Sequence, residues 1–375
     1  MYNYYDKTVI NLSRNDKVFE ANFEYGDEVR QLNISKNGMK NIPPEILNLQ
    51  KLVVFQCQYN KLTFIPSSVG NLKFIRYLNL SFNNFIQFPI EITHLPNLVY
   101  LNLRNNKIKI IPEEIKKLEY LHNLNLSRNE IEIIPSAIYQ LEWLENLYLQ
   151  HNIISELSEN ITKLTRLYVL QLSNNNLSIL PDEIRYLTRL RSLILSNNSL
   201  EILPESITEL KYLSTLNLNH NKLENLPKQL GNMKSLKYFM INCNKLKDFR
   251  QILKIRSKTV KVITYYANDF SIDNNSKLKQ IKTVVGSIYH YETDLYYNNR
   301  QLYYFFDRGE IYGYRFFLIY NVINDAILRR KRKNLLKRMI FTNRMLIIIS
   351  LLKTYNIYEI PEFIINKIWN FYNLD

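Results

Sequence analysis

The chain has little of what most enzymes and secreted domains need. Cys57 and Cys243 are its only cysteines, too few for a disulfide framework. Its seven glycines, at 26, 38, 70, 231, 286, 309 and 313, form neither GxxxxGK(S/T) nor GxGxxG, so no phosphate-cradling loop is expected. The five histidines, at 94, 122, 151, 220 and 290, make no HExxH and no other metal-ligand spacing. The opening "MYNYYDKTVINLSRND" contains no apolar core of signal-peptide length. The longest strongly apolar run near the end, Met345–Leu352, spans 8 residues with Ser350 inside it, far short of the roughly 20 that cross a bilayer. These absences argue against an enzyme, a bound metal, a cofactor and a small-molecule substrate. They point to a reduced, intracellular setting.

What is present begins with charge. The net charge of +15 suggests acidic partners, and its placement narrows that reading. Residues 251–375 carry 20 Lys/Arg against 10 Asp/Glu, whereas the first 250 carry 29 against 24. The basic character therefore belongs mainly to the C-terminal part. The chain is also crowded with Asn, Ile, Lys and 28 Tyr, residues with AT-rich codons, as in protist or large-virus genomes.

The central signal is a period. Asn recurs at 37, 60, 83, 106, 129, 152, 175, 198, 221 and 244, always 23 residues apart. Apolar residues recur with it five before (Leu32 to Phe239), three before (Ile34 to Ile241) and five after (Ile42 to Phe249). A proline follows that last position in eight repeats, from Pro43 to Pro227, with Ser158 and Arg250 as the exceptions. Leu-x-Leu alternation places the leucines on one side of a short strand and the intervening residues on the other. Proline then opens a short helical return, as in Pro112, Ile115, Leu118. One such unit buries too little apolar surface to offset the entropy of ordering it, so the units must stack. The Asn sits where the strand ladder ends, and its amide both donates and accepts, so an Asn column can satisfy adjacent turns. The expected fold is an α/β solenoid, a horseshoe with a parallel concave sheet.

The pattern Ile-Pro-x-x-Ile-x-x-Leu-x-x-Leu-x-x-Leu-x-Leu-x-x-Asn-x-Leu resembles the intracellular Ras-group leucine-rich-repeat proteins, which include plant members and scaffolds of Ras signalling. The resemblance covers about residues 26–250 and implies a non-catalytic binding scaffold. Some leucine-rich-repeat proteins carry a ubiquitin-ligase domain with a nucleophilic Cys after the repeats. No Cys follows Cys243 here. Cys57 stands in a leucine column and is expected to be a small buried hydrophobe.

Four divisions follow. Residues 1–28 are expected to form an N-terminal cap, with Ile10-Asn11-Leu12-Ser13-Arg14-Asn15 a degenerate unit. Residues 29–250 form ten repeats. Residues 251–274 form a degenerate capping repeat around Ile263–Asn268. From 275 to 375 the period is lost, and a small, mainly helical or mixed domain, rich in aromatics and bases, is expected. Within it, Arg329, Arg330, Lys331, Arg332 and Lys333 open a stretch with seven positive charges in ten residues, suited to nucleic acid, an anionic membrane or nuclear import. Ile360–Trp369 resembles the opening helix of an F-box, a motif that recruits cullin-based ubiquitin ligases; the acidic residue, Glu362, comes one position early. That resemblance implies an adaptor that delivers a captured protein to such a ligase.

Concave residues lie six, four, two and one before each ladder Asn. None of the four columns contains Asp or Glu, and their basic residues are only Lys36, Arg104 and Arg128. A phosphate-tracking surface needs several cations in register, so this neutral, amide-rich wall suits hydrogen bonding to another protein. Tyr and Arg are common interface anchors. Tyr59, Tyr77, Phe82, Tyr100 and Tyr148, beside Arg104 and Arg128, are therefore the candidate protein-binding residues. Asn33-Ile34-Ser35, Asn79-Leu80-Ser81 and Asn125-Leu126-Ser127 would put sugars on this wall in a secreted protein, a further reason to expect the cytoplasm, of a host cell if viral, or the nucleus. A monomer is expected.

Overall fold

The structure is a computed structural model that describes residues 8–14, 28–247 and 262–264. Twelve three-residue strands form one parallel sheet in strict sequence order. The first is Val9–Asn11, the next Gln31–Asn33, and the last two Tyr238–Met240 and Val262–Thr264. From Gln31–Asn33 to Tyr238–Met240 the register advances by one 23-residue unit per strand; Leu78, for example, pairs with Leu101 and Leu101 with Leu124. The degenerate units at both ends join the same sheet, Ile10 opposite Leu32 and Ile263 opposite Phe239.

One continuous apolar cluster runs from Leu12 to Leu246. Its members are the predicted columns: Leu101, Leu124 and Leu147 from the strands, Leu103 and Leu126 just after them, and Ile111 and Ile134 before the prolines. Cys57 is fully buried there, as expected. Burial pushes its thiol up to about 12, against the lowering effect of a contact from the Asn60 amide.

The return segments are single 3-10 turns, of five residues as in Glu113–Lys117 and Ser136–Gln140 and of three in the last, Leu230–Asn232; no α-helix occurs among the described residues. The prolines also stand one position earlier than expected. From Pro43 to Pro204 each stands just before its turn, as Pro112 does in an extended conformation, and the proline carbonyl accepts from the N–H three residues on, Pro112 from Ile115 at 3.2 Å. With so few residues between strands, only the tighter helix fits. Ser158, the exception inside the array, keeps the same backbone and caps its turn by accepting from the Asn160 N–H at 3.2 Å.

The Asn column performs the predicted task, and its geometry repeats from turn to turn. The Asn129 amide donates to the carbonyls of Leu126 at 2.9 Å and of Leu103, one turn back, at 3.0 Å; its oxygen accepts from the N–H of Ile108 at 3.0 Å. Each amide thus bridges two turns. The residue before each ladder Asn takes a left-handed conformation, from Lys36 (φ 62) through Arg128 (φ 56) to Cys243 (φ 52). That column contains no β-branched residue, the kind for which this backbone is most strained.

The tail readings lie outside the described residues. These are the domain expected at 275–375, the basic stretch Arg329–Lys333 and the F-box-like Ile360–Trp369.

Candidate protein-binding surface

Side chains six and four before the ladder Asn stand on the outer face of the sheet because the leucine between them is committed to the core; both are partly exposed through repeats two to six, whereas in repeats seven to ten the one four before (Gln171, Ile194, Asn217, Met240) is buried. The seven candidate residues are all at least partly exposed on this face. They form two groups rather than one. Tyr77 and Tyr100, facing partners on adjacent strands, stack with ring centroids 4.2 Å apart and planes 6° from parallel. Tyr59 and Phe82 stack in the same way, at 4.2 Å and 12°, with Lys36 Nζ 5.2 Å from the Tyr59 ring. The first pair begins its strands, whereas the second sits in the left-handed column just before the ladder Asn. The strands are three residues long, so the first stack lies at their start and the second beyond their end, on opposite margins of the sheet.

Between the margins, Tyr148 lies near enough to Tyr100 to influence its ionisation. Burial raises both hydroxyls above the ordinary tyrosine value, most strongly at Tyr100, where Tyr77 adds to the effect. Both phenols stay neutral at physiological pH and can donate or accept. Arg104 points along the sheet, with Nη1 donating to Ser127 Oγ at 3.4 Å. Arg128 occupies the left-handed column next to it.

The structure corrects one part of the sequence reading. The serines two before the ladder Asn are not presented to a partner; Ser81 and Ser127 are buried, each donating its hydroxyl at 2.7 Å to the preceding Asn79 or Asn125 oxygen. A short side chain at that position sinks between neighbours, and only Gln58, Gln150 and Arg104 are long enough to rise. The side-chain oxygens of Gln58 and Gln150 are nevertheless buried and have no hydrogen-bond partner among the described residues. These two glutamines were not singled out from the sequence, although their length among serines is the signal that could have found them. No group of His, Cys, Asp and Glu suited to a metal occurs among the described residues.

A parallel sheet of one strand per 23 residues, with a shared leucine spine and an Asn ladder, defines a leucine-rich-repeat solenoid. Residues 90–177 and 155–258 match the family model described as a leucine-rich repeat region. The chain is similar in structure to a leucine-rich-repeat protein of Leptospira interrogans (26% identity, 70% of this chain and 83% of that one, TM-score 0.51). It is also similar to the leucine-rich-repeat ectodomain of the Arabidopsis thaliana receptor kinase GASSHO1/SCHENGEN3, solved in complex with CASPARIAN STRIP INTEGRITY FACTOR 2 (27% identity, TM-score 0.56). Here 69% of this chain matches only 35% of the receptor chain. The internalin InlF of Listeria monocytogenes shares the fold at 23% identity, with 66% of this chain and 77% of that one covered and a TM-score of 0.56. No curated protein matches the sequence. Because one of these structures is an ectodomain, the fold by itself assigns no compartment.

Proposed function

We propose that this chain is a non-catalytic scaffold that binds another protein on the concave sheet, with Tyr77, Tyr100, Arg104 and Tyr148 at the centre of the contact. One observation carries the reading: the open face of the sheet has no carboxylate, is lined by amides, and carries stacked tyrosines beside arginine. Stacked rings are held in place by each other, so little side-chain freedom is lost when a partner covers them. The receptor ectodomain solved in complex with CASPARIAN STRIP INTEGRITY FACTOR 2 is a precedent for ligand binding by a protein of this fold. We place the protein in the cytoplasm, on the Ras-group resemblance and the glycosylation acceptors on the binding wall.

The test is affinity purification from the native cell followed by mass spectrometry, comparing the parent chain with a Tyr100→Ala, Arg104→Ala double variant. Proteins recovered by the parent and lost by the variant support the concave site. Identical recoveries from two equally stable proteins would dismiss it.

A further inference from the structure

A second surface stands apart from the concave sheet. After each ladder Asn the chain runs extended along one lateral edge of the solenoid towards the 3-10 turn. The turns of this edge are joined by their own backbone bonds, such as Glu130 N–H to the Ile108 carbonyl at 2.9 Å and Ile153 N–H to that of Ile131 at 3.0 Å. The second residue after the Asn is buried, as Ile131 and Leu177 are, while the third and fourth face outward. The fourth is often a large apolar residue: Ile110, Ile133, Ile179 and Ile202 are 76%, 71%, 65% and 74% exposed. A β-branched residue suits the extended backbone, but propensity alone does not require an alkane in water at four turns.

The charge on this edge is equally one-sided. Through repeats five to eight, residues 130–137, 153–160, 176–183 and 199–206 contain eight carboxylates and no Lys, Arg or His. Glu130, Glu132, Glu156 and Glu201 stand on the extended edge, and Glu159, Asp182, Glu183 and Glu205 open the 3-10 turns that follow it. Lysines stand on either side, at 107 and 109 before and at 222 and 228 after. Of the eight, only Glu130 pairs with a cation side chain among the described residues, Lys109 at 3.7 Å. In the turn where Glu156 replaces the isoleucine, the buried Tyr139 hydroxyl lies against the Ser158 backbone and makes no hydrogen bond of good geometry among the described residues.

We propose that this edge of repeats five to eight docks a basic amphipathic segment of a partner protein, its apolar side chains on Ile133, Ile179 and Ile202 and its Lys or Arg side chains on the flanking carboxylates. Carboxylates repel nucleic acid and anionic lipid, which removes those partners. Exposed isoleucines gain nothing from a bare cation or a purely hydrophilic chain. Together they select a polypeptide that offers cations and alkyl side chains in the same stretch. This assignment is independent of the concave site.

The test uses the full chain and a fluorescent synthetic peptide of about 18 residues with leucine and lysine at helical spacing, with a glutamate-for-lysine twin. The lysine peptide should bind, more weakly as salt rises, and the twin should not. Replacing Ile133, Ile179 and Ile202 with Ser should weaken binding roughly tenfold or more, equivalent to the loss of about one well-buried alkyl contact. Changing Glu132, Glu156 and Glu201 to Gln should weaken it several-fold and flatten the salt dependence, by roughly the contribution of exposed charge pairs. All six positions are exposed, so thermal unfolding checks that each variant folds. Tyr100→Ala should leave peptide binding unchanged. No binding, equal binding of both peptides, or binding unaffected by both triple variants would overturn the proposal. Concentration-dependent self-association of the full chain that both triple variants abolish would also overturn it, by assigning the edge to a second copy.

Discussion

The concave sheet and the lateral edge are built by the same 23-residue unit, only a few residues apart in each turn, yet their chemistry is opposite. The sheet face excludes Asp and Glu in every turn and relies on amides, hydroxyls and stacked rings. The edge of repeats five to eight gathers carboxylates around exposed isoleucine. The difference shows that the repeat decides where a column points, and the residues free to vary within it decide what that column can bind. A solenoid can therefore carry two chemically unlike surfaces without any change to its core.

The sharpest way to break this comparison is to ask whether outward and inward residues of one edge differ as claimed. Ile131→Ala should destabilise the chain by about 2–4 kcal/mol through the cavity it leaves. Ile133→Ala, two residues on, should change stability by about 0.5 kcal/mol or less. Urea unfolding of both variants decides it; equal effects would erase the division of the edge into core and surface. Next comes the boundary between the two surfaces. Asn129→Ala strips the carbonyls of Leu126 and Leu103 and the N–H of Ile108 of a buried partner, with an expected loss of about 1–3 kcal/mol or more. Asn146→Ala, on the open sheet face, should fall well below that in the same assay.

A smaller effect sharpens the concave side. Tyr100→Ala with Arg104→Ala should lower affinity for any recovered partner by roughly tenfold, in the range of interface anchors, and leave the lateral peptide untouched. Binding of the partner can be followed by titration calorimetry. The smallest effect concerns the spine that both surfaces share. Cys57 ionises near 9 when unfolded and about 12 when folded, so the folded state is disfavoured as the unfolded thiol loses its proton. The contribution of this thiol is thus complete below pH 9 and is lost between pH 9 and 12; Cys57→Val should shrink the decline over that range in alkaline urea titrations.

Much of the fold was legible because the period is exact over ten copies. Leu101, Leu124 and Leu147 fall where Leu-x-Leu alternation puts them, and Asn129 makes the bonds that its place at the end of a strand requires. The length of the return segment was less legible. Pro112 and Ile115 suit any first helical turn, and only the distance left between neighbouring strands selects the 3-10 form. The candidate site was legible column by column but not as a shape. Tyr59 and Phe82 read as neighbours of Tyr77 and Tyr100 in the sequence, yet the sheet sends the two pairs to opposite margins. Ser81 and Ser127 read as surface residues, and their short side chains sink to hydrogen-bond Asn79 and Asn125.

By itself the sequence determined the stacking unit, the buried spine and the bridging role of asparagine, since each follows from local period and hydrogen-bonding capacity. Tertiary structure alone decided which side chains of an outward column reach solvent and which distant columns share a surface. Those outcomes depend on how far a side chain rises above its neighbours in the adjacent turns, and no single repeat contains that information.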